Sequence, residues 1–240
     1  MSHVKNVQAL GKLKGTVTGY GGKYNPGQQN LQVNALTTLS NNAEQMLGEV
    51  NEKQTAYDNI TNTRELGFAD LRKLGSRVLS VLKSCGANAL TIKDAGVSIH
   101  KLWGKRTASK PAPVAADNAA EAKPATSFAY ARDFASMAFY FDKLVETVSA
   151  EAKYMATEPE LSVAGLRAKA AELHGMNSAV TQAEINLTAA RRKRNGLFYK
   201  DEGNLFSTAM AAKQYVRGAF GFSSDQRAEV SRIRFTKPNS

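Results

Sequence analysis

Three histidines, one cysteine and a set of arginine and lysine clusters are the residues of this chain with chemistry to offer. Metal binding needs His, Cys, Asp or Glu at spacings that bring them to one face, and general-base catalysis needs a base within reach of a nucleophile. His3, His100 and His174 are far apart, and none has a partner at i+3 or i+4 that makes a metal motif. A di-metal helical bundle needs Glu-x-x-His pairs, and Val97 and Ala171 stand where those glutamates would be. Cys85, beside Gly86, has no evident base and reads as a small buried hydrophobe. As the single cysteine it excludes an intrachain disulfide. No phosphate-binding loop, dinucleotide fingerprint or nucleophile elbow is present. These residues point to a non-enzymatic protein, with no metal, no cofactor and no small-molecule substrate inferred.

The cations offer more. A formal net charge of +11 raises the expectation of an anionic partner. Arg191, Arg192, Lys193 and Arg194, with Lys200, could grip phosphates, each neutralised phosphate adding a salt-sensitive increment, and Phe198 and Tyr199 could stack on bases. Lys12, Lys14 and Lys23 near the start, and Arg232 and Arg234 near the end, extend that set of candidate anion contacts. A structural account competes with it: Arg64, Arg191 and Arg194 fall near the seam of their helices, where Asp58, Glu65, Asp70 and Glu184 could pair them into an ion-pair layer that holds helix register. Trp103, among His100, Lys101, Lys105 and Arg106, suits either a membrane interface or the capped end of a bundle core, and the second is favoured. No zinc-finger ligand set, aromatic RNA-binding sheet signature or basic zipper is present.

Helices must position these groups. Residues 161–198 carry Leu166, Ala170, Leu173, Val180, Leu187 and Phe198 at steps of three and four without a proline, which predicts one long helix ending in the basic cluster and Asn195-Gly196. Residues 28–62 predict a second long helix, and 64–84, 90–105, 128–154 and 204–220 predict shorter ones. Residues 106–127 are an Ala/Pro/Lys linker. Residues 1–27, basic and rich in glycine without a carboxylate, read as a mobile arm, and residues 222–240 as a basic extended tail. The fold expected is all-α: an elongated antiparallel bundle of two duplicated long-helix/short-helix units, 28–105 and 128–221. A shift of 127 residues lays Leu36 on Val163 and Asn59-Ile60-Thr61-x-x-Arg64 on Asn186-Leu187-Thr188-x-x-Arg191.

The run QYVRGAFGFSSDQRAEVSRIRFTKP at 214–238, with its aromatic-Val-Arg step, Phe-Gly-x-x-Ser turn and basic Ile-x-Phe close, resembles the endings of uncharacterised helical proteins of Bacteroidetes-type bacteria, as does the segment from Arg194 to Tyr199. That resemblance implies a bacterial helical bundle and transfers no site residue. The lead expectation is a structural or protein-interaction bundle that self-associates or binds a protein partner. A nucleic-acid-binding architectural protein and a membrane-active bundle of the pore-forming type are the alternatives, a membrane surface being the weaker partner. The start of the chain lacks an apolar run after its lysines, and no stretch nears eighteen apolar residues, so a cytoplasmic location is expected.

Overall fold

A computed structural model describes residues 2–103 and 133–237; the predicted linker at 106–127 lies outside the described residues. Eight α-helices are present among them and no strand: α1 (Ser2–Gly19), α2 (Val33–Ala69), α3 (Leu71–Ser84), α4 (Ala89–Leu102), α5 (Phe134–Ser149), α6 (Val163–Asn195), α7 (Leu205–Phe220) and α8 (Asp225–Arg232). The all-α helical bundle read from the sequence is the fold of the protein.

Helix ends follow local chemistry. Asn88, Asp133, Asn204 and Ser224 each accept a hydrogen bond from the first turn of α4, α5, α7 and α8. Beyond α3 and α7 the chain turns at Gly86 (φ +67°) and Gly221 (φ +91°), a conformation glycine adopts without a Cβ clash. The break expected near residues 62–64 is absent: α2 runs through Arg64 to Ala69. Asn195 does end α6, but the chain continues into one π-helical turn, Gly196–Lys200.

The chain forms two compact units, and neither coincides with a half of the sequence. Unit 1 is residues 1–58 with 183–240; unit 2 is residues 59–182. In unit 1 the core joins Leu10, Leu13 and Val17 of α1 and Leu36 of α2 to Phe198 and to Leu205, Ala209, Ala212 and Val216. In unit 2 it joins Phe68, Leu71, Val78 and Leu82 to Ile99, Phe141, Leu144, Val148, Leu166 and Leu173. Each unit therefore combines the opening helices of one half with the closing helices of the other, correcting the assignment of 28–105 and 128–221 to separate units. A 37-residue helix is stable only along other helices, and here each part of α2 is covered by elements from the opposite half.

The halves are related by a shift of 130, not 127. Lys23-Tyr24 with Leu31-x-Val33-x-Ala35-Leu36 matches Lys153-Tyr154 with Leu161-x-Val163-x-Gly165-Leu166. Both tyrosines are buried, and each donates its hydroxyl to the carbonyl seven residues on, Tyr24 to Leu31 at 2.8 Å and Tyr154 to Leu161 at 2.7 Å. Arg64 and Phe68 then match Arg194 and Phe198. A shift of 127 differs by about one helical turn, so the apolar rhythm barely distinguishes the two registers.

The arm expected at 1–27 is also corrected: α1 is a packed helix. Val7, Leu10, Leu13 and Val17 are buried at helical spacing, whereas an added Cβ at Gly11 or Gly15 would meet nothing within 4 Å. Each such glycine costs a helix roughly 1 kcal/mol, and burial of the four apolar side chains outweighs that. The tail at 222–240 contains α8, preceded by a turn at 222–224 and followed by the non-helical residues 233–237. There Asn6, fully buried, donates to the carbonyl of Thr236 (2.7 Å) and accepts from its N–H (2.9 Å), as a strand neighbour would.

Candidate anion-binding site

All ten predicted anion contacts fall in unit 1. Lys12, Lys23, Arg191, Arg192, Lys193, Lys200, Arg232 and Arg234 are exposed, and Lys14 and Arg194 are half-buried. The last two turns of α6 hold the basic cluster. Arg191 donates to the side-chain carbonyl of Gln54 (2.6 Å), whose amide donates to Asp58 (2.8 Å), and Lys193 stands 3.9 Å from Glu49. Arg192 and Lys200 have no such partner among the described residues. Arg194 turns inward and donates to Asn195 Oδ1 from Nε (3.2 Å) and Nη2 (2.9 Å). Burial and the charge of Arg191 lower its pKa.

The predicted ion-pair layer does not form. No described carboxylate lies within salt-bridge distance of Arg64, Arg191 or Arg194. Arg64 instead lies 4.2 Å from the centre of the Phe134 ring, with its Nε buried and without a hydrogen bond. A cation over an aromatic face recovers part of the lost hydration, and carboxamides serve the other two arginines. His3 takes the place of Phe134 in unit 1: it meets Phe198 edge-on at 5.4 Å, as Phe134 meets Phe68 at 5.0 Å. Burial, then the charge of Arg194, lowers the His3 pKa. Base stacking by Phe198 is ruled out by position, because that ring is core. Tyr199 accepts a hydrogen bond from Asn6 at 3.1 Å.

Three cations that the sequence reading passed over line a groove of about 530 Å³ between α7 and α8. Lys213, Arg217 and Arg227 share it with Met210, Ala211, Gln214, Val230 and Ser231, and no carboxylate is among its lining. Lys213 Nζ donates to the carbonyl of Ile233 (2.8 Å), and burial lowers its pKa. The guanidinium carbons of Arg217 and Arg227 lie 4.7 and 4.5 Å from the centre of the exposed Phe222 ring. The groove was illegible because α8, DQRAEVSR, has no apolar stripe and buries only Val230. The Phe-Gly-x-x-Ser turn was the available signal, since Ser224 caps α8.

One further pair escaped the sequence. His174 Nε2 lies 2.6 Å from Asp142 Oδ2, joining α5 to α6 in unit 2. No described hydroxyl or thiol is hydrogen-bonded to the other ring nitrogen, so the pair lacks the nucleophile of a hydrolytic arrangement.

Charge separates the units more sharply than architecture does. Unit 1 holds 16 Lys and Arg against 9 Asp and Glu, a net +7. The described residues of unit 2 hold 11 against 10, a net +1. Compared with protein-family models, with curated proteins and with solved structures, the chain matches none.

Proposed function

We propose that the protein is a non-enzymatic helical binding protein that engages a polyanion of the nucleic-acid class through unit 1. The observation that carries this reading is the placement of the cations: unit 1 holds +7 of the chain's +11, whereas the described residues of unit 2, of matched helical construction, hold +1. Packing alone does not call for that difference. Exposed cations raise the local concentration of a polyanion and release its counterions on contact. The exposed end of α6, with Arg191, Arg192 and Lys193, is the densest such cluster in unit 1.

The test is binding of the full chain to a labelled non-specific duplex across a salt series. Each neutralised phosphate contributes about −0.9 to the slope of log K against log salt. R191Q/R192Q is expected to flatten the slope by about 1.8, whereas R72Q/K73Q in unit 2 leaves it unchanged. No binding at low salt, or equal flattening by both double variants, refutes the reading.

A second reading, contact with another protein or another copy through unit 2, draws on a different observation. Leu66, Leu90, Val97, Phe139 and Met155 are large, exposed and all in this unit. Sedimentation velocity over a concentration series tests it, and a constant monomer value removes self-association.

A further inference from the structure

We propose that the groove between α7 and α8 is a binding site for a phosphate group, held by Arg217, Arg227 and Lys213. This site is distinct from the end of α6 and does not depend on duplex binding there.

The groove gathers three cations with no carboxylate in its lining. Cations brought together without an opposite charge repel one another, so such a cluster favours an anion that fills it. Their donors are available. Lys213 spends one of its three N–H groups on the carbonyl of Ile233. The guanidinium groups of Arg217 and Arg227 both lie over the Phe222 ring, and neither has a hydrogen-bond acceptor among the described residues, so their N–H donors are unspent. A guanidinium fork matches a phosphate edge in geometry. Phe222, 60% exposed, costs hydration at the surface, and its visible role is to hold the two forks in place.

The duplication supplies an internal control. Leu205, Ala209, Ala212 and Val216 of α7 match Leu71, Gly75, Val78 and Leu82 of α3, all buried. In that register Leu79 stands where Lys213 does. Ile92, three residues before the first buried residue of α4, stands where Arg227 does, three before Val230. Leu79 and Ile92 both pack on the unit 2 core. Two of the three groove cations therefore stand where unit 2 has apolar side chains packed on its core, and the third, Arg217, matches the exposed Lys83. A volume of about 530 Å³ accommodates a phosphate with a small organic group attached.

Calorimetric titration of the full chain with inorganic pyrophosphate, at low salt, tests the proposal. Saturable binding at about millimolar Kd or tighter is expected. R217Q/R227Q should weaken it at least about tenfold, and R217K/R227K should recover little, because an ammonium cannot present a fork. R191Q/R192Q should leave it within about twofold, separating this site from the duplex surface of unit 1. S231E adds a carboxylate to the groove lining with both arginines retained and should also abolish binding, which covers the case that the arginine variants unfold. A nucleic-acid source of the phosphate is read by adding the duplex: competition with pyrophosphate assigns the groove to a backbone phosphate, and independent binding assigns it to a small phosphate ester. Absence of saturable binding, or equal weakening by R191Q/R192Q and R217Q/R227Q, overturns the proposal.

Discussion

Replacing Tyr24 or Tyr154 by phenylalanine removes one oxygen from each of two matched buried turns. The hydroxyls donate to the carbonyls of Leu31 and Leu161 at 2.8 and 2.7 Å, and both rings are more than nine-tenths buried. A buried hydrogen bond contributes about 1 kcal/mol net, and the carbonyl left behind loses its partner, so each variant should cost about 1–2 kcal/mol. The two sites share no partner, so the losses should add to within about 0.5 kcal/mol. With a urea slope of about 1–3 kcal/mol per molar, each midpoint should fall by roughly 0.5–1 M. Tyr57→Phe, which removes a hydroxyl with no described hydrogen bond, serves as the control and should stay within about 0.5 kcal/mol. Alkaline pH gives a second readout for Tyr24. Burial pushes its phenol up to about 12, so the unfolded chain ionises first and stability falls as pH rises from about 10. Tyr24→Phe should lessen that decline. Losses below 0.5 kcal/mol in both variants, or a clear loss in only one, would falsify the register of 130 as the relation between the halves.

Two predictions concern α1. Leu13→Ala should cost about 2–5 kcal/mol in chemical denaturation, because the side chain is fully buried; a mobile arm would give no change. His3→Phe installs the residue that its counterpart, Phe134, supplies in unit 2. The folded His3 pKa lies below its ordinary value of 6.5, chiefly through burial and then Arg194. The neutral ring therefore contributes stability that is intact above 6.5 and is lost as pH falls through the lowered folded value. Thermal melts from neutral to acid pH should show the variant gaining on the parent as pH drops, and a constant difference would refute the linkage.

Much of the helical content was legible because apolar steps of three and four report one face of a helix directly. α4 and α7 lie within three residues of their predicted bounds, and Gly86 and Gly221 end α3 and its counterpart α7 as expected. α1 was missed because Gly11, Gly15 and Gly19, with Lys5, Lys12 and Lys14, outweighed a stripe of four apolar residues. Nothing in those residues announces that α7 and α8 lie against them. α8 was missed for the opposite reason: its single buried residue leaves no rhythm to read. The ten candidate cations were named from type and spacing, but Lys213 and Arg217 lie in α7 and Arg227 in α8, and only the packing of the two helices brings them to one groove.

By itself the sequence determined an all-α protein, a strong positive charge and a doubled plan, the last written in Lys23-Tyr24 to Leu36 and again in Lys153-Tyr154 to Leu166. Local periodicity and composition suffice for those properties. Tertiary structure decided what that repeat builds, a buried turn in which each tyrosine hydroxyl closes on the carbonyl seven residues on. It also decided the exchange of closing helices between the halves and the company each arginine keeps. A guanidinium satisfied by a carboxylate, a carboxamide or an aromatic face looks the same in sequence, and for Arg64 and Arg191 the answer lies in Phe134 and Gln54, 70 and 137 positions away.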